Sequence, residues 1–179
     1  MTSTPTRLSY QARILVVPLG ASGNALVQSM AGNGLTNVRI VTDAGQSAVC
    51  VRDIQAVIGA EITETVADLA ASADMMILLG SELLEVPADF VATAAGAARA
   101  NGVLLAGVLV DQQNWESAQG AESVAVLRRE LDMLVSVRDV SLATAFIDVL
   151  KGGRRQTGAP AIPATANTTA SESTERGAS

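Results

Sequence analysis

The stretch that decides the fold is "ILVVPLGASGNALVQSM", residues 14–30. An apolar run ends in a turn of small residues, and an apolar pattern with helical spacing follows at once. A continuous apolar run of this kind is typical of a strand that helices cover on both faces. The stretch therefore predicts a strand–turn–helix unit. It also raises the question whether "GASGN", residues 20–24, cradles a phosphate or only makes a tight turn.

The same alternation continues along the chain and predicts the fold class. The predicted strands cover residues 13–18, 37–43, 74–80, 103–111 and 133–137, with residues 47–59 forming one or two short strands around a loop. The predicted helices cover residues 24–34, 61–73, 87–102, 117–132 and 140–153. We therefore expect an α/β protein with a three-layer, doubly wound, mostly parallel sheet and helices on both faces. Such sheets bind ligands at the carboxyl ends of their strands.

The chain has 179 residues, enough for one domain with a sizeable core. We expect a flexible N-terminus over residues 1–11, one Rossmann-type domain over residues 12–153, and a disordered tail over residues 154–179 that is rich in Ala, Thr, Ser and Pro. No apolar run approaches the roughly 18 residues of a membrane span, and the N-terminus lacks the apolar segment of a signal peptide. The expected location is the cytoplasm.

Composition argues against several classes of function. A net charge of −6 and an aromatic content of 2% disfavour a nucleic-acid surface, which needs clustered cations or stacking platforms. The chain has no histidine, so the commonest general base and metal ligand is missing. The single cysteine, Cys50, cannot form an intramolecular disulfide. We predict neither a metal site nor a nucleic-acid partner.

The glycine turn has two local interpretations. Small residues at a helix N-terminus allow a phosphate to reach backbone N–H groups, but G-x-x-G alone matches neither the dinucleotide fingerprint nor the P-loop. The same spacing also suits a turn in which helix and strand pack closely. An NAD-binding or other small enzyme domain is a further alternative, using Ser22, Asp43 or a strand-end carboxylate. Of those carboxylates, Asp111 falls at a carboxyl end, whereas Asp74 falls at an amino end.

Taken in order, seven segments resemble the N-terminal GTP-binding domain of the bacterial cell-division protein FtsZ, a tubulin relative. The first, "LGASGNAL", is similar to the family's glycine-rich phosphate loop G-G-G-G-N-A. The others are "VTDAGQSAV", "SADMMILLG", "ANGVLLAGVLV", "NWE", "RRELDMLVSVRD" and "SLATAFIDVLKG". The resemblance implies a cytoplasmic GTP- or GDP-binding fold of the cell-division type. Its predicted nucleotide-binding residues are Gly20, Ala21, Ser22, Gly23, Asn24, Glu116 and Phe146.

The departures from the family pattern decide the expected function. Where the family has a second glycine loop, G-G-G-T-G-T-G, this chain has "GSELLEVPAD" after its third main strand, so Glu82 and Glu85 bring negative charge towards a polyphosphate. Gly120 and Arg138 replace a family Arg and Asn. The family's second domain, which carries the loop that completes hydrolysis, falls outside the matched segments. No catalytic residue is therefore carried over.

Three hypotheses follow. The first is a degenerate, non-hydrolysing FtsZ-like module with an interaction or regulatory role, whose partner is an FtsZ-like filament-former or a second copy of itself. The second is a protein that still binds guanine nucleotide through "GASGN", Glu116 and Phe146. The third is the unrelated NAD-binding or enzyme domain. The observation that best separates the first two is whether the cleft at residues 20–24 is open or filled by "SELLEVP".

Overall fold

A computed structural model of the chain describes residues 10–42, 48–53 and 62–152. The predicted tail, most of the predicted flexible N-terminus, and Asp43 lie outside the described residues, as does the side chain of Cys50. Contacts with the sheet already begin at Tyr10, whose hydroxyl donates to Asp74 Oδ2 at 2.7 Å.

Within these ranges the chain alternates between strands and helices. The strands are β1 Ile14–Pro18, β2 Arg39–Thr42, β3 Ala48–Asp53, β4 Ile62–Thr65, β5 Met75–Glu82, β6 Leu104–Gln113 and β7 Met133–Val137. The helices are α1 Gly20–Gly32, α2 Val66–Ser72, α3 Ala88–Asn101, α4 Ala118–Glu130 and α5 Val140–Lys151, and a 3-10 turn at Leu83–Glu85 follows β5. None of these helices is both long and apolar enough to cross a membrane.

The strands form one sheet in the order β4-β3-β2-β1-β5-β6-β7. Strands β2, β1, β5, β6 and β7 are parallel, and β3 and β4 extend the sheet as antiparallel strands beyond β2. The chain therefore leaves β1 for β2 on one side and later returns to β5 on the other. This reversal creates a crevice at the carboxyl ends of β1 and β5, where doubly wound sheets bind ligands.

Two apolar layers, one on each side of the sheet, form the core. Leu15 and Val17 of β1 face a cluster that includes α2, α3 and α4, whereas Ile14 and Val16 face a cluster that includes α1 and α5. All four residues are buried, as expected for a central strand covered on both faces. The predicted three-layer, doubly wound architecture is confirmed.

Two predicted element boundaries were wrong. Helix α1 begins at Gly20, so "GASGN" forms its first turn instead of preceding it. The predicted helix over residues 61–73 is a strand followed by a helix, since Ile62–Thr65 pairs with β3 and α2 begins at Val66. The Thr65 hydroxyl accepts the Asp68 N–H at 3.2 Å, and this N-cap starts the helix at Val66, five residues later than its acidic pattern suggested.

Ionic contacts join neighbouring parts of the sheet. At the amino ends of β1 and β5, Arg13 Nη2 lies 2.8 Å from Asp74 Oδ1. Arg39 at the start of β2 is joined to β4, since its Nη2 lies 3.1 Å from Glu64 Oε1. Asp74 thus lies at the amino end of β5, as predicted. The Arg13 guanidinium and backbone N–H, together with the Tyr10 hydroxyl, hold the pKa of Asp74 well below its ordinary value.

Candidate functional site

The candidate site lies at the carboxyl ends of β1 and β5, where the sheet order reverses. Strand β1 continues through Leu19 into α1, and β5 continues into the 3-10 turn. The Leu19 N–H donates to the Leu79 carbonyl at 2.7 Å and ties the two exits together. The first turn of α1 and the "SELLEVP" segment therefore face each other across the crevice.

Both glycines of "GASGN" have structural reasons that do not involve a ligand. Gly20 has a φ of 68°, a conformation that residues with a side chain rarely adopt. A Cβ at Gly23 would lie 2.6 Å from the carbonyl oxygen of Leu79, so only glycine permits α1 to pack this closely on β5. The close-packing interpretation of G-x-x-G is thus sufficient to explain Gly23.

The anion position at the start of α1 holds a carboxylate of the chain itself. The Ser22 N–H donates to Glu85 Oε2 at 2.9 Å. The glutamate side chain also passes directly over Gly20, because a Cβ there would lie 2.5 Å from both Glu85 Cβ and Oε2. Free N–H groups and the helix dipole favour a negative charge at this position, and Glu85 supplies it.

The segment that carries Glu85 is anchored at three points. Its Leu83 side chain is fully buried in the α2–α4 layer. The Glu82 N–H donates to the Ser22 hydroxyl at 3.2 Å, so Ser22 is bound through both its backbone and its side chain. The Glu82 carboxylate accepts hydrogen bonds from Asn114 Nδ2, at 2.7 and 2.8 Å, and from the Leu84 N–H, at 3.1 Å. These bonds lower the pKa of Glu82. The "SELLEVP" segment is therefore fixed in place and closes the crevice.

The loop between β6 and α4 also helps to close the crevice, because it carries Asn114, which binds Glu82. Asn114 adopts a φ of 60°, and Ser117 caps α4 by accepting the Gly120 N–H at 2.9 Å. A Cβ at Gly120 would overlap the carbonyl oxygen of Asn114. The glycine that stands where the resembled family has an arginine is thus required by the way this loop folds.

The predicted binding residues are only partly brought together. Residues 20–24 form one turn of helix, and Asn24 Nδ2 bonds the Gly20 carbonyl at 3.0 Å within it. Glu116 is exposed on the β6–α4 loop, and Phe146 is half-buried midway along α5. No hydrogen bond among the described residues joins either side chain to residues 20–24. Their role in nucleotide binding stays a prediction.

Sequence reasoning found the acidic replacement but missed its partners. The sequence predicts that Glu82 and Glu85 bring negative charge towards a polyphosphate, and in the structure Glu85 itself accepts the Ser22 N–H. Asn114 was not predicted as a site residue at all. Glu82 caps the 3-10 turn by accepting the Leu84 N–H, and glutamate is not among the preferred N-cap residues, so the sequence offered no clear signal for this cap.

A cavity of about 300 Å³ lies elsewhere, at the amino ends of β1 and β2. Arg13, Asn37, Arg39 and Ser72 are among the residues that line it. The Arg13 guanidinium is paired with Asp74. The Arg39 guanidinium donates to Glu64 and to the Ser72 hydroxyl. The cavity therefore offers no uncompensated charge to a ligand. Among the described residues, no group of three or more potential metal-ligating side chains is suitably placed to hold an ion.

Comparisons of the chain with protein-family models and with curated proteins found no match.

Proposed function

We propose that the chain is a non-hydrolysing, FtsZ-like interaction module whose phosphate loop is closed by its own Glu85. The observation that carries the proposal is the hydrogen bond from the Ser22 N–H to Glu85 Oε2 at 2.9 Å. A carboxylate in the anion position satisfies the amide that a phosphate would otherwise bind. The α1 turn then serves as a structural joint between β1, α1 and the 3-10 turn.

The electrostatics of the crevice support the same conclusion. A nucleotide phosphate would have to displace Glu85 from Ser22 while remaining close to Glu82, which is fixed by Asn114. Like charges at short range in a partly buried site repel strongly. Neither glutamate forms an ion pair with a described residue that could offset this repulsion.

The surface beside the closed crevice favours a protein as the partner. Trp115 is 56% exposed and Leu84 is 41% exposed. The contact between Glu82 and Asn114 holds the segments that carry these two side chains next to each other. Tryptophan is enriched among the residues that carry most of the binding energy of protein–protein interfaces. We infer that an FtsZ-like filament-former would contact this rim.

Guanine-nucleotide binding is the second candidate, and one observation favours it. The amide turn of α1 is fully formed, and Glu85 closes it through one half-exposed side chain. Rotation of that side chain would expose the Ser22 N–H without any change in the backbone. In this candidate Glu85 is a displaceable occupant.

Calorimetric titration with GTP and GDP, together with a phosphate-release assay, separates the two candidates. We expect no heat at millimolar nucleotide and no hydrolysis with the wild-type chain. We expect Glu85→Ala to take up inorganic phosphate weakly, because its Ser22 amide is free. Glu116→Ala is the matched control, since it removes a carboxylate that does not touch α1. Micromolar GTP binding by the wild type, lost in Glu116→Ala, would establish the second candidate instead.

The partner is tested separately. Light scattering of a polymerising FtsZ-like protein is recorded with and without the chain, and we expect the chain to alter the extent of assembly. Trp115→Ala should abolish the effect, while exposed Gln28→Ala on α1 should retain it. Unchanged assembly at equimolar chain would contradict the interaction with a filament-former.

A further inference from the structure

The two edges of the sheet are built differently. Strand β4 reads "ITET" and carries Glu64, which pairs with Arg39. Strand β7 reads "MLVSV", without a charge or a proline, and its apolar side chains are only half-buried. Natural edge strands usually carry charges, prolines or bulges that prevent pairing with another chain. Among the described residues, β7 is the edge that lacks this protection.

The residues that flank β7 make it self-complementary. Asp132 precedes the strand and Arg138 follows it, and both are exposed. Asp132 Oδ2 accepts the Leu105 N–H of β6 at 2.9 Å, so only Oδ1 of this carboxylate is without a hydrogen bond to a described residue. Arg138 makes no hydrogen bond or ion pair with any described residue. If two copies of β7 pair antiparallel about a two-fold axis through Val135, Asp132 of each copy lies opposite Arg138 of the other. Opposite charges in directly facing positions stabilise a strand pair, and this register provides them at both ends.

Helix α5 has a partly exposed apolar stripe on the same side of the molecule. Leu142, Phe146 and Val149 follow at i, i+4 and i+7; Leu142 is 52% and Val149 68% exposed, whereas Phe146 is half-buried against the core. The opposite flank of α5 faces α1, because Lys151 Nζ reaches the Thr36 carbonyl between α1 and β2 at 2.8 Å. The stripe therefore lies on the flank nearer to the β7 edge.

We propose that a second copy of this chain binds at the β7 edge, with the two β7 strands antiparallel and the two α5 stripes in contact. A two-fold axis perpendicular to the sheet places both α5 helices on the same face, next to each other. One arrangement thus covers the unprotected edge, pairs Arg138 and buries the stripe. The interface is remote from the Ser22 amide, so the proposal holds whether or not nucleotide binds there.

Sedimentation velocity of the full chain over a range of concentrations tests the proposal. We expect a dimer, and amide exchange that slows in β7 as concentration rises. Arg138→Glu places like charges opposite each other at both ends and should raise the dimer dissociation constant by on the order of tenfold. Val149→Glu should do the same through the stripe. Gln28→Glu, an equal change of charge to Val149→Glu on exposed α1, should leave the dimer unchanged.

Two outcomes would overturn the proposal. The first is a chain that stays monomeric at all concentrations. The second is a dimer that both Arg138→Glu and Val149→Glu leave intact, since the interface would then lie elsewhere. Circular dichroism of the two variants confirms that they are folded, which we expect because both side chains are exposed.

Discussion

The amino and carboxyl ends of the sheet use carboxylates in different ways. At the amino end, Asp74 is met by the Arg13 guanidinium and the Tyr10 hydroxyl. At the carboxyl end, Glu85 is met by the Ser22 backbone amide, and no cation among the described residues pairs with it. The first arrangement joins strands through opposite charges. The second reproduces the contact that a bound anion would make, so the two ends should respond differently to substitution.

The largest effect is expected at the carboxyl end, from Gly23→Ala. The added Cβ would lie 2.6 Å from the Leu79 carbonyl oxygen, so α1 must move away from β5. We expect a loss of at least about 2 kcal/mol in the free energy of unfolding, measured by urea titration. Gly32→Ala in the same helix is the control, because nothing lies within 4 Å of its new Cβ. Equal stability of the two variants would show that α1 is not closely packed.

The next effect concerns the amino end, through the chain's only lysine. Lys151 is 7% exposed and donates to the Thr36 carbonyl and to Asp148 Oδ1. Lys151→Met leaves that carbonyl without its donor and should cost about 1–3 kcal/mol in urea titration. Asp148→Asn removes the charge of the exposed partner of Lys151 and should lower the free energy of unfolding clearly less than Lys151→Met does. The reverse order would show that the ion pair matters more than the buried carbonyl contact.

A smaller effect, with a characteristic pH dependence, is expected from Asp74→Asn. The folded-state pKa of Asp74 lies below its ordinary value of 3.8, so its stabilising contribution is complete above that value. The contribution is lost as pH falls below 3.8 towards the folded-state pKa. Thermal melts should therefore show a lower Tm for Asp74→Asn at pH 7, with the difference shrinking below pH 4. A difference in Tm that does not change with pH would contradict an ionic role.

The smallest effect on stability is expected from Glu85→Gln. The amide oxygen of glutamine can still accept the Ser22 N–H, and no described cation loses a partner. We expect the free energy of unfolding to change by no more than about 0.5 kcal/mol. A loss of unfolding free energy comparable to that of Gly23→Ala would mean that Glu85, like Asp74, mainly stabilises the fold. The contrast between the two ends of the sheet would then disappear.

Most of the fold was predictable because its signals are local. The apolar runs of β1, β5 and β6 and the glycine at the end of α3 gave the correct element types. The error over residues 61–73 arose because "ITET" is too short to show strand periodicity, and its pairing with β3 comes from elsewhere in the chain. The site was less predictable, since the contact between Ser22 and Glu85 joins residues 63 positions apart.

The sequence by itself determined the α/β class, the succession of the parallel strands and the helices between them, and the acidic character of the segment after β5, because hydrophobic periodicity and side-chain charge are properties of neighbouring residues. Only the tertiary structure decided that "GASGN" is the first turn of a helix and that Glu85 occupies its amide. It also decided that β7 is, within the part of the chain that the structure describes, a sheet edge without protection. These features depend on which segments the sheet order brings together, and no local pattern encodes that order.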